Sequence, residues 1–100
     1  EFEDHHNNIK QVAGKTLAVA APYPNPAAGS ITIPYTVKKG SDVTIEITDM
    51  AGRKVQAISK GNMPAGSYNE MLALSHLQPG LYYVTIRTGY GALSVRISKI

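Results

Sequence analysis

From residue 30 onward, the chain consists of short segments in which apolar and polar residues alternate, separated by turns that contain glycine or proline. The clearest segment places Val43, Ile45 and Ile47 on one face, with threonine and glutamate on the other. A period of two indicates a β-strand with one buried face. The segments with this pattern are 30–37, 43–48, 53–59, 68–74, 81–88 and 93–100. They predict an all-β fold.

The spacing of these segments indicates how the predicted strands pack. They follow one another at intervals of roughly 10–14 residues without a helical stretch, which is typical of an antiparallel sandwich of two sheets. Two alternatives are open for residues 16–21, namely a first strand or the end of a linker. Pro34 has no N–H to donate to a neighbouring strand. We therefore expect either that strand 30–37 lies at the edge of a sheet or that Pro34 is at the start of the strand.

Length and composition limit the possible functions. The 100 residues suffice for one small domain, and the chain has no cysteine for a disulfide or a thiolate metal site. Residues 22–100 carry a net charge of +4 and residues 1–21 carry −1. Because the basic residues are dispersed over different strands, we expect no nucleic-acid partner. No apolar run reaches the ~18 residues of a membrane helix, so we expect no stable membrane insertion.

Residues 1–21 differ from the rest and predict a linker, with the folded domain at 22–100. Glu1 and Phe2 are compatible with a cloning remnant. The acidic start lacks the basic region of a secretory signal peptide, so we expect an exported chain to carry its signal upstream and this sequence to be a fragment. His5 and His6 have no third ligand beside them, so we expect neither a metal site nor a cofactor.

Clusters of turn-forming residues separate the predicted strands. Residues 49–52 predict a type I turn, with aspartate first and glycine fourth, and residues 61–66 predict a loop. The clusters at 22–26 and 75–80 are also explained by conformation alone. Ser75 and His76 are sequence neighbours with no third group to orient them, so they do not form a hydrolase dyad. We therefore expect no enzyme.

In this order, the turns and strands resemble the carboxyl-terminal sorting domain of the type IX (Por) secretion system of Bacteroidetes bacteria. The matching elements are Tyr23-Pro24-Asn25-Pro26, Val43-x-Ile45-x-Ile47 with Asp49-Met50-Ala51-Gly52-Arg53-Lys54-Val55, Leu72-x-Leu74-Ser75-x-Leu77-Gln78-Pro79-Gly80-Leu81-Tyr82-Tyr83-Val84-x-Ile86, and a closing basic strand. Each motif is weak alone, but four in order across residues 22–100 are specific. The resemblance implies an immunoglobulin-like sandwich of about seven strands.

The resemblance also implies a function. Such a domain is a non-catalytic secretion signal that directs its cargo across the outer membrane to the cell surface or the medium. Its partners would be the outer-membrane translocon and a sortase that removes the domain and joins the cargo to the surface. The cut would fall within residues 7–21, where the candidate positions are Asn7, Gly14 and Ala21. Many members end in lysine or another polar residue, whereas this chain ends in Ser98-Lys99-Ile100.

Recognition is expected at the end of the chain. A closing strand at a sheet edge exposes N–H and C=O groups that can pair with a strand of a partner, a mode called β-augmentation. We therefore expect residues 93–100, with the turns 49–54 and 78–80, to form the docking surface. The candidate recognition residues are Pro24, Asn25, Pro26, Asp49, Gly52, Arg53, Pro79, Gly80, Arg96, Lys99 and Ile100.

The main alternative is an immunoglobulin- or fibronectin-like module of a secreted enzyme that binds carbohydrate or protein. We expect Tyr82 and Tyr83 to point to opposite faces, one in the core and one on the surface. An exposed Tyr83, with Tyr23 and Tyr90, could then form a platform that stacks on sugar rings. A purely structural spacer is a third hypothesis. Exposed strand edges leave two oligomeric states open, a monomer and a strand-swapped dimer.

Overall fold

Seven strands make up the fold in the computed structural model, which describes residues 15–100. They are β1 Leu17–Val19, β2 Ser30–Val37, β3 Ser41–Asp49, β4 Lys54–Met63, β5 Gly66–Ala73, β6 Gly80–Thr88 and β7 Gly91–Lys99. Sheet 1 has the order β1-β2-β5 and sheet 2 the order β4-β3-β6-β7, with antiparallel neighbours throughout. These orders correspond to strands A, B, E and C′, C, F, G of an immunoglobulin-like sandwich. The predicted fold is confirmed.

The apolar faces predicted from the alternation line the space between the two sheets. Val43, Ile45 and Ile47 of β3 are at most 1% exposed, as their spacing predicts. Burying a side chain of this size contributes about 1.5–3 kcal/mol, which is the main source of stability in a chain without disulfides. The buried core consists of Leu17, Ala27, Ile31, Ile33, Tyr35, Val37, Val43, Ile45, Ile47, Leu72, Leu74, Tyr82, Val84, Ile86 and Ile97.

The first strand lies before residue 22, where the sequence predicts the domain to begin. β1 pairs with β2 through Leu17 and Val37, and the Leu17 side chain is completely buried. Just after β1, the Ala20 N–H donates to the Pro34 C=O at 2.9 Å. The folded unit therefore includes β1. A domain boundary at residue 22 would assign this strand to the linker.

The place of β2 differs from the prediction made from Pro34. β2 is the middle strand of sheet 1 and begins at Ser30, well before Pro34, so both the expected edge position and the expected strand start are wrong. In an antiparallel ladder, the nitrogen and the C=O of one residue point to the same side, and the Pro34 C=O faces Ala20. Since β1 ends at Val19, the missing N–H of Pro34 falls where the neighbouring strand has already finished. A central strand tolerates the proline because its neighbour is short.

β4 is longer than the sequence predicts. Residues 61–66 were expected to form a loop, yet β4 continues to Met63, which pairs with Ser41 of β3. Gly61 lies in this extension with a φ of +71°, beside a register shift of the ladder. A bulge at a glycine lets the strand absorb an extra residue and resume pairing. The loop expectation is therefore wrong for residues 61–63 and for Gly66, where β5 begins, and only Pro64 and Ala65 lie between the two strands.

Tyr82 fastens the turn that precedes β6. Its hydroxyl donates to the Gln78 C=O, four residues earlier, at 2.6 Å, and its ring is only 7% exposed. Tyr68 makes the same type of bond to the Pro64 C=O at 2.7 Å, but at an exposed position. The bond at Tyr82 corresponds to the tyrosine corner of immunoglobulin-like folds.

We expect Tyr82→Phe to lower the free energy of unfolding by about 1 kcal/mol, because it leaves the Gln78 C=O without its donor in a partly buried place. Tyr68→Phe is the matched control and should cost less, because water reaches the exposed C=O of Pro64. Urea unfolding followed by circular dichroism measures both. Equal losses for the two variants would show that burial does not set the strength of the corner.

Candidate recognition site

Sheet 2 has one end at which β3 and β7 finish and β4 and β6 begin, which we call the terminal end. The pairs Asp49↔Tyr82 and Tyr82↔Ile97 place β3, β6 and β7 side by side there, and Gly80 pairs with Lys99. Because adjacent strands lie about 4.8 Å apart, Asp49 is about 10 Å from β7. The topology therefore gathers candidate residues from distant parts of the sequence at one end of the sandwich.

The segment 24–26 lies against the outer edge of β7. The Asn25 Oδ1 accepts a hydrogen bond from the Ser98 N–H at 2.9 Å, and the Asn25 Nδ2 donates to the Arg96 C=O at 3.4 Å. The peptide bonds on either side, Tyr23–Pro24 and Asn25–Pro26, are both cis. The side-chain amide of Asn25 thus bonds to the strand edge as the peptide group of a neighbouring strand does.

Ala27 continues this pairing along the end of β7. Its N–H donates to the Ser98 C=O and its C=O accepts from the Ile100 N–H, both at 2.8 Å. Ala27 also forms a parallel bridge with Lys99 and is buried. We call these contacts of residues 25–27 with the end of β7 the clasp. The sequence did not single out Ala27, because nothing local marks a small residue as a strand partner.

The clasp determines which part of β7 has an open edge. The sequence predicts unpaired groups along residues 93–100, but the outward-facing groups of Ser98 and Ile100 are occupied. The open-edge expectation is therefore wrong for Ser98 and Ile100. Since outward-facing residues alternate along β7, the outward groups of Ala92 and Ser94 and the Arg96 N–H receive no hydrogen bond from the clasp.

The turn between β3 and β4 is held together by Asp49. Its carboxylate accepts the Ala51 N–H at 3.0 Å, the Arg53 N–H at 2.9 Å and the Arg53 Nε at 3.0 Å. The Gly52 N–H donates to the Asp49 C=O at 3.0 Å, as the predicted type I turn requires, and Gly52 has a φ of +87°. Hydrogen bonding to Arg53 lowers the pKa of Asp49. The Arg53 guanidinium is thus engaged within the turn.

Pro79 and Gly80 lie where β6 begins, next to the end of β7. Gly80 pairs with Lys99 and has a φ of +152°, which residues with a Cβ rarely adopt. A Cβ at this position would meet open space, so the backbone conformation and not crowding favours glycine. The Lys99 Nζ donates to the Ile100 C=O at 3.0 Å. These residues give the terminal end its shape.

The outer face of sheet 2 carries a groove at the terminal end. Its volume is about 420 Å³, and it is lined by Asn25, Pro26, Leu81, Arg96, Ile97 and Ser98. Leu81 is 41% exposed and its neighbour Tyr83, directly opposite Arg96, is 37% exposed. Leu81 was missed from the sequence, although an apolar residue on the polar face of β6 was a usable signal. The groove combines exposed apolar surface with a guanidinium.

Farther along the same face, Glu46 is a buried carboxylate between two cations. Lys54 and Arg87 each lie 3.2 Å from one of its carboxylate oxygens. The hydrogen bond from Lys54 lowers the pKa of Glu46, burial opposes this shift, and Arg87 reinforces it. The three residues tie β3 to the strands on both sides and leave both cations paired.

This cluster predicts a loss of stability in acid. Because the folded state lowers the pKa of Glu46, its contribution is present above the ordinary pKa of 4.5 and is lost as the pH falls through the lower folded value. We expect Glu46→Gln to flatten the decline of unfolding free energy between about pH 5 and pH 3. Because the pKa of Asp49 is also lowered, the unfolding free energy of Glu46→Gln should still decline somewhat in acid. Urea titrations at each pH measure this, and a decline in Glu46→Gln as steep as in the wild type would contradict it.

Tyr23, Tyr83 and Tyr90, which were the hypothetical sugar platform, do not lie together. Tyr83 is on the surface and its neighbour Tyr82 is in the core, as predicted. Tyr90 follows β6, so it lies at least about 17 Å along the strand from Tyr83 at ~3.3 Å per residue, and the Lys39 Nζ covers its ring at 4.4 Å. Tyr23 bridges Thr32 of sheet 1. The platform hypothesis is therefore wrong in its geometry.

The candidate cleavage positions are divided by the first strand. Asn7 and Gly14, like His5 and His6, lie outside the described residues, whereas Ala21 is exposed on the connection between β1 and β2. Within residues 15–100, no three histidine or acidic side chains gather as a metal site would require. The same part of the chain contains no helix with the length and apolar character needed to cross a membrane.

The strand order and the shaped terminal end define an immunoglobulin-like domain with a candidate recognition surface. The chain belongs to the family of secretion system C-terminal sorting domains, whose family model matches residues 21–99. Domains of this family are generally non-catalytic signals of type IX secretion in Bacteroidetes, which engage the secretion machinery and mark proteins for export across the outer membrane to the cell surface or medium. No curated protein matches the chain.

Proposed function

We propose that the outer-membrane translocon recognises this chain at its terminal end, that a sortase then removes the domain, and that the cargo becomes attached to the cell surface. Family membership supports the export that precedes these steps. The observation that carries the recognition step is the meeting of the clasp, the Asp49 turn and the Gly80 turn at one end of sheet 2. The domain is the substrate throughout and performs no chemistry.

The fold favours a cut before β1. A cut at Ala21 would leave β1 attached to the cargo and withdraw Leu17 from the core of the domain. Leu17 is a fully buried leucine, and losing such a side chain costs about 2–5 kcal/mol. Asn7 and Gly14 precede β1, so a cut at either position would release an intact sandwich. We therefore favour these two positions over Ala21.

A reporter that carries a secretory signal peptide and is fused ahead of residue 1 tests the proposal in a bacterium with an active type IX system. We expect the reporter attached to the cell surface, and a released domain whose first residue precedes Leu17. Fractionation and mass spectrometry of the released domain measure both. A strain that lacks the translocon is the control and should retain the reporter inside the cell.

The parts of the proposal fail separately, and release of the reporter into the medium would contradict surface attachment alone. A reporter that stays in the cell in both strains would contradict recognition of this chain by the system. Export without removal of the domain would contradict the sortase step alone. A released domain that begins after Ala21 would contradict the placement of the cut.

A further inference from the structure

Arg96 differs from Arg53 and Lys54 at the terminal end because its guanidinium has no acidic partner within residues 15–100. Arg53 pairs with Asp49, and Lys54 pairs with Glu46. Arg96 engages the clasp through its backbone C=O, so its guanidinium is not needed for the clasp. An exposed guanidinium retains five N–H donors in a planar fork that suits a carboxylate.

The surroundings of Arg96 are apolar on one side. Tyr83 lies directly opposite it on β6, and Leu81 lies on the diagonal, opposite Ser98. Such neighbours on one face are close enough for their side chains to share a contact. Pro26 completes the groove from the side of the clasp. A ligand here would meet one positive charge beside Leu81 and Pro26, with Asn25 and Ser98 as further polar groups.

The clasp makes the face of the sheet, and not its edge, the accessible surface at this end. A strand that paired with the edge at Ser98 and Ile100 would have to displace both Asn25 and Ala27. The groove is open without any such displacement, since its lining residues already form its walls. Docking on the face therefore costs none of the clasp hydrogen bonds.

We propose that this groove binds a carboxylate-bearing segment of a partner protein, with the carboxylate on the Arg96 guanidinium and apolar side chains against Leu81 in the groove and Tyr83 beside it. The inference rests on the proposed function, because that partner would be a component of the secretion machinery. Charge complementarity decides the class of occupant, since an unpaired guanidinium beside apolar surface favours an acidic segment. Arg96 is the residue that selects an acidic occupant.

An anionic lipid surface is a poorer fit for the same groove. Recognition of lipid headgroups uses clusters of roughly 4–8 basic residues. Here the neighbouring Arg53 and Lys54 are paired with carboxylates, and the Lys99 Nζ donates to a C=O of its own chain. One free guanidinium beside a leucine and a tyrosine suits a protein segment better.

The test is a charge series at Arg96 in the reporter fusion with the full chain. We expect Arg96→Lys to export nearly as well as wild type, Arg96→Gln to export less, and Arg96→Glu to fall furthest, by about tenfold, because like charges repel at a docking surface. Lys39→Glu makes the same change of charge at the opposite end and should export like wild type. Urea unfolding checks that each variant folds. If Arg96→Glu does not fold, the comparison of export between Arg96→Lys and Arg96→Gln tests the inference.

The outcomes separate this inference from the proposed function. Export of the wild type with an unchanged Arg96 series would overturn the inference and leave sorting intact. Failure of the wild type to be exported would remove the proposed function, and the inference with it. Equal losses for Arg96→Gln and Arg96→Glu would contradict an acidic partner. Binding of the purified chain to vesicles that contain lipopolysaccharide, lost in Arg96→Glu, would overturn the protein partner in favour of a lipid.

Discussion

Leu17→Ala is expected to lower the free energy of unfolding by about 3 kcal/mol, because it deletes a fully buried side chain whose space cannot collapse completely. Leu17 belongs to the shortest strand of the sandwich, yet it packs in the same core as the long strands. The expected loss is a large share of the 5–15 kcal/mol or so that stabilises a typical small domain. Urea unfolding of the full chain measures it.

Met71→Ala is the matched control for Leu17→Ala. Met71 is 68% exposed on β5, so its removal should change stability by less than about 0.5 kcal/mol. If Leu17→Ala costs no more than this control, β1 is not part of the cooperative unit. In that case Ala21 would become as suitable a cleavage position as Asn7 or Gly14.

The sandwich could be predicted from the sequence because its signal is local. Alternation in β3 and β6 identifies the buried faces, and the turn at Asp49 is specified by an aspartate and a glycine three residues apart. The two errors in the strands have a common cause. The sequence shows that Pro34 lacks a donor and that Gly61 interrupts the alternation. It does not show where a neighbouring strand ends or where a bulge absorbs a residue.

The sequence identified most residues of the candidate site, but it did not show which of them contact one another. Asn25 and Arg96 were both identified from local motifs, yet the bonds that join their segments span 71 and 73 residues. No periodicity reports contacts at that separation. The clasp was therefore missed, and with it the reason that the end of β7 has no open edge. An unpaired strand edge is the default expectation for a closing strand.

A large functional effect is expected from deleting Lys99 and Ile100. The deletion removes the bond between the Ile100 N–H and the Ala27 C=O and the pairing of Lys99 with Gly80. Ile97 and the Asn25 bond to Ser98 remain, so the sandwich should still fold with a loss of about 1–2 kcal/mol. The surface at the terminal end changes much more than the core does. We therefore expect export to fall while the domain stays folded.

The secreted fraction of a reporter fused ahead of the chain, compared between changes at the two ends of the sandwich, tests this account most directly. The deletion of Lys99 and Ile100 should reduce secretion by roughly tenfold, which corresponds to about 1.4 kcal/mol of lost recognition. The double variant Lys39→Ala, Tyr90→Ala also removes one lysine and one exposed apolar side chain, but at the opposite end, and should be secreted like wild type. Undiminished secretion of the deletion, or equal loss in both variants, would contradict recognition at the terminal end.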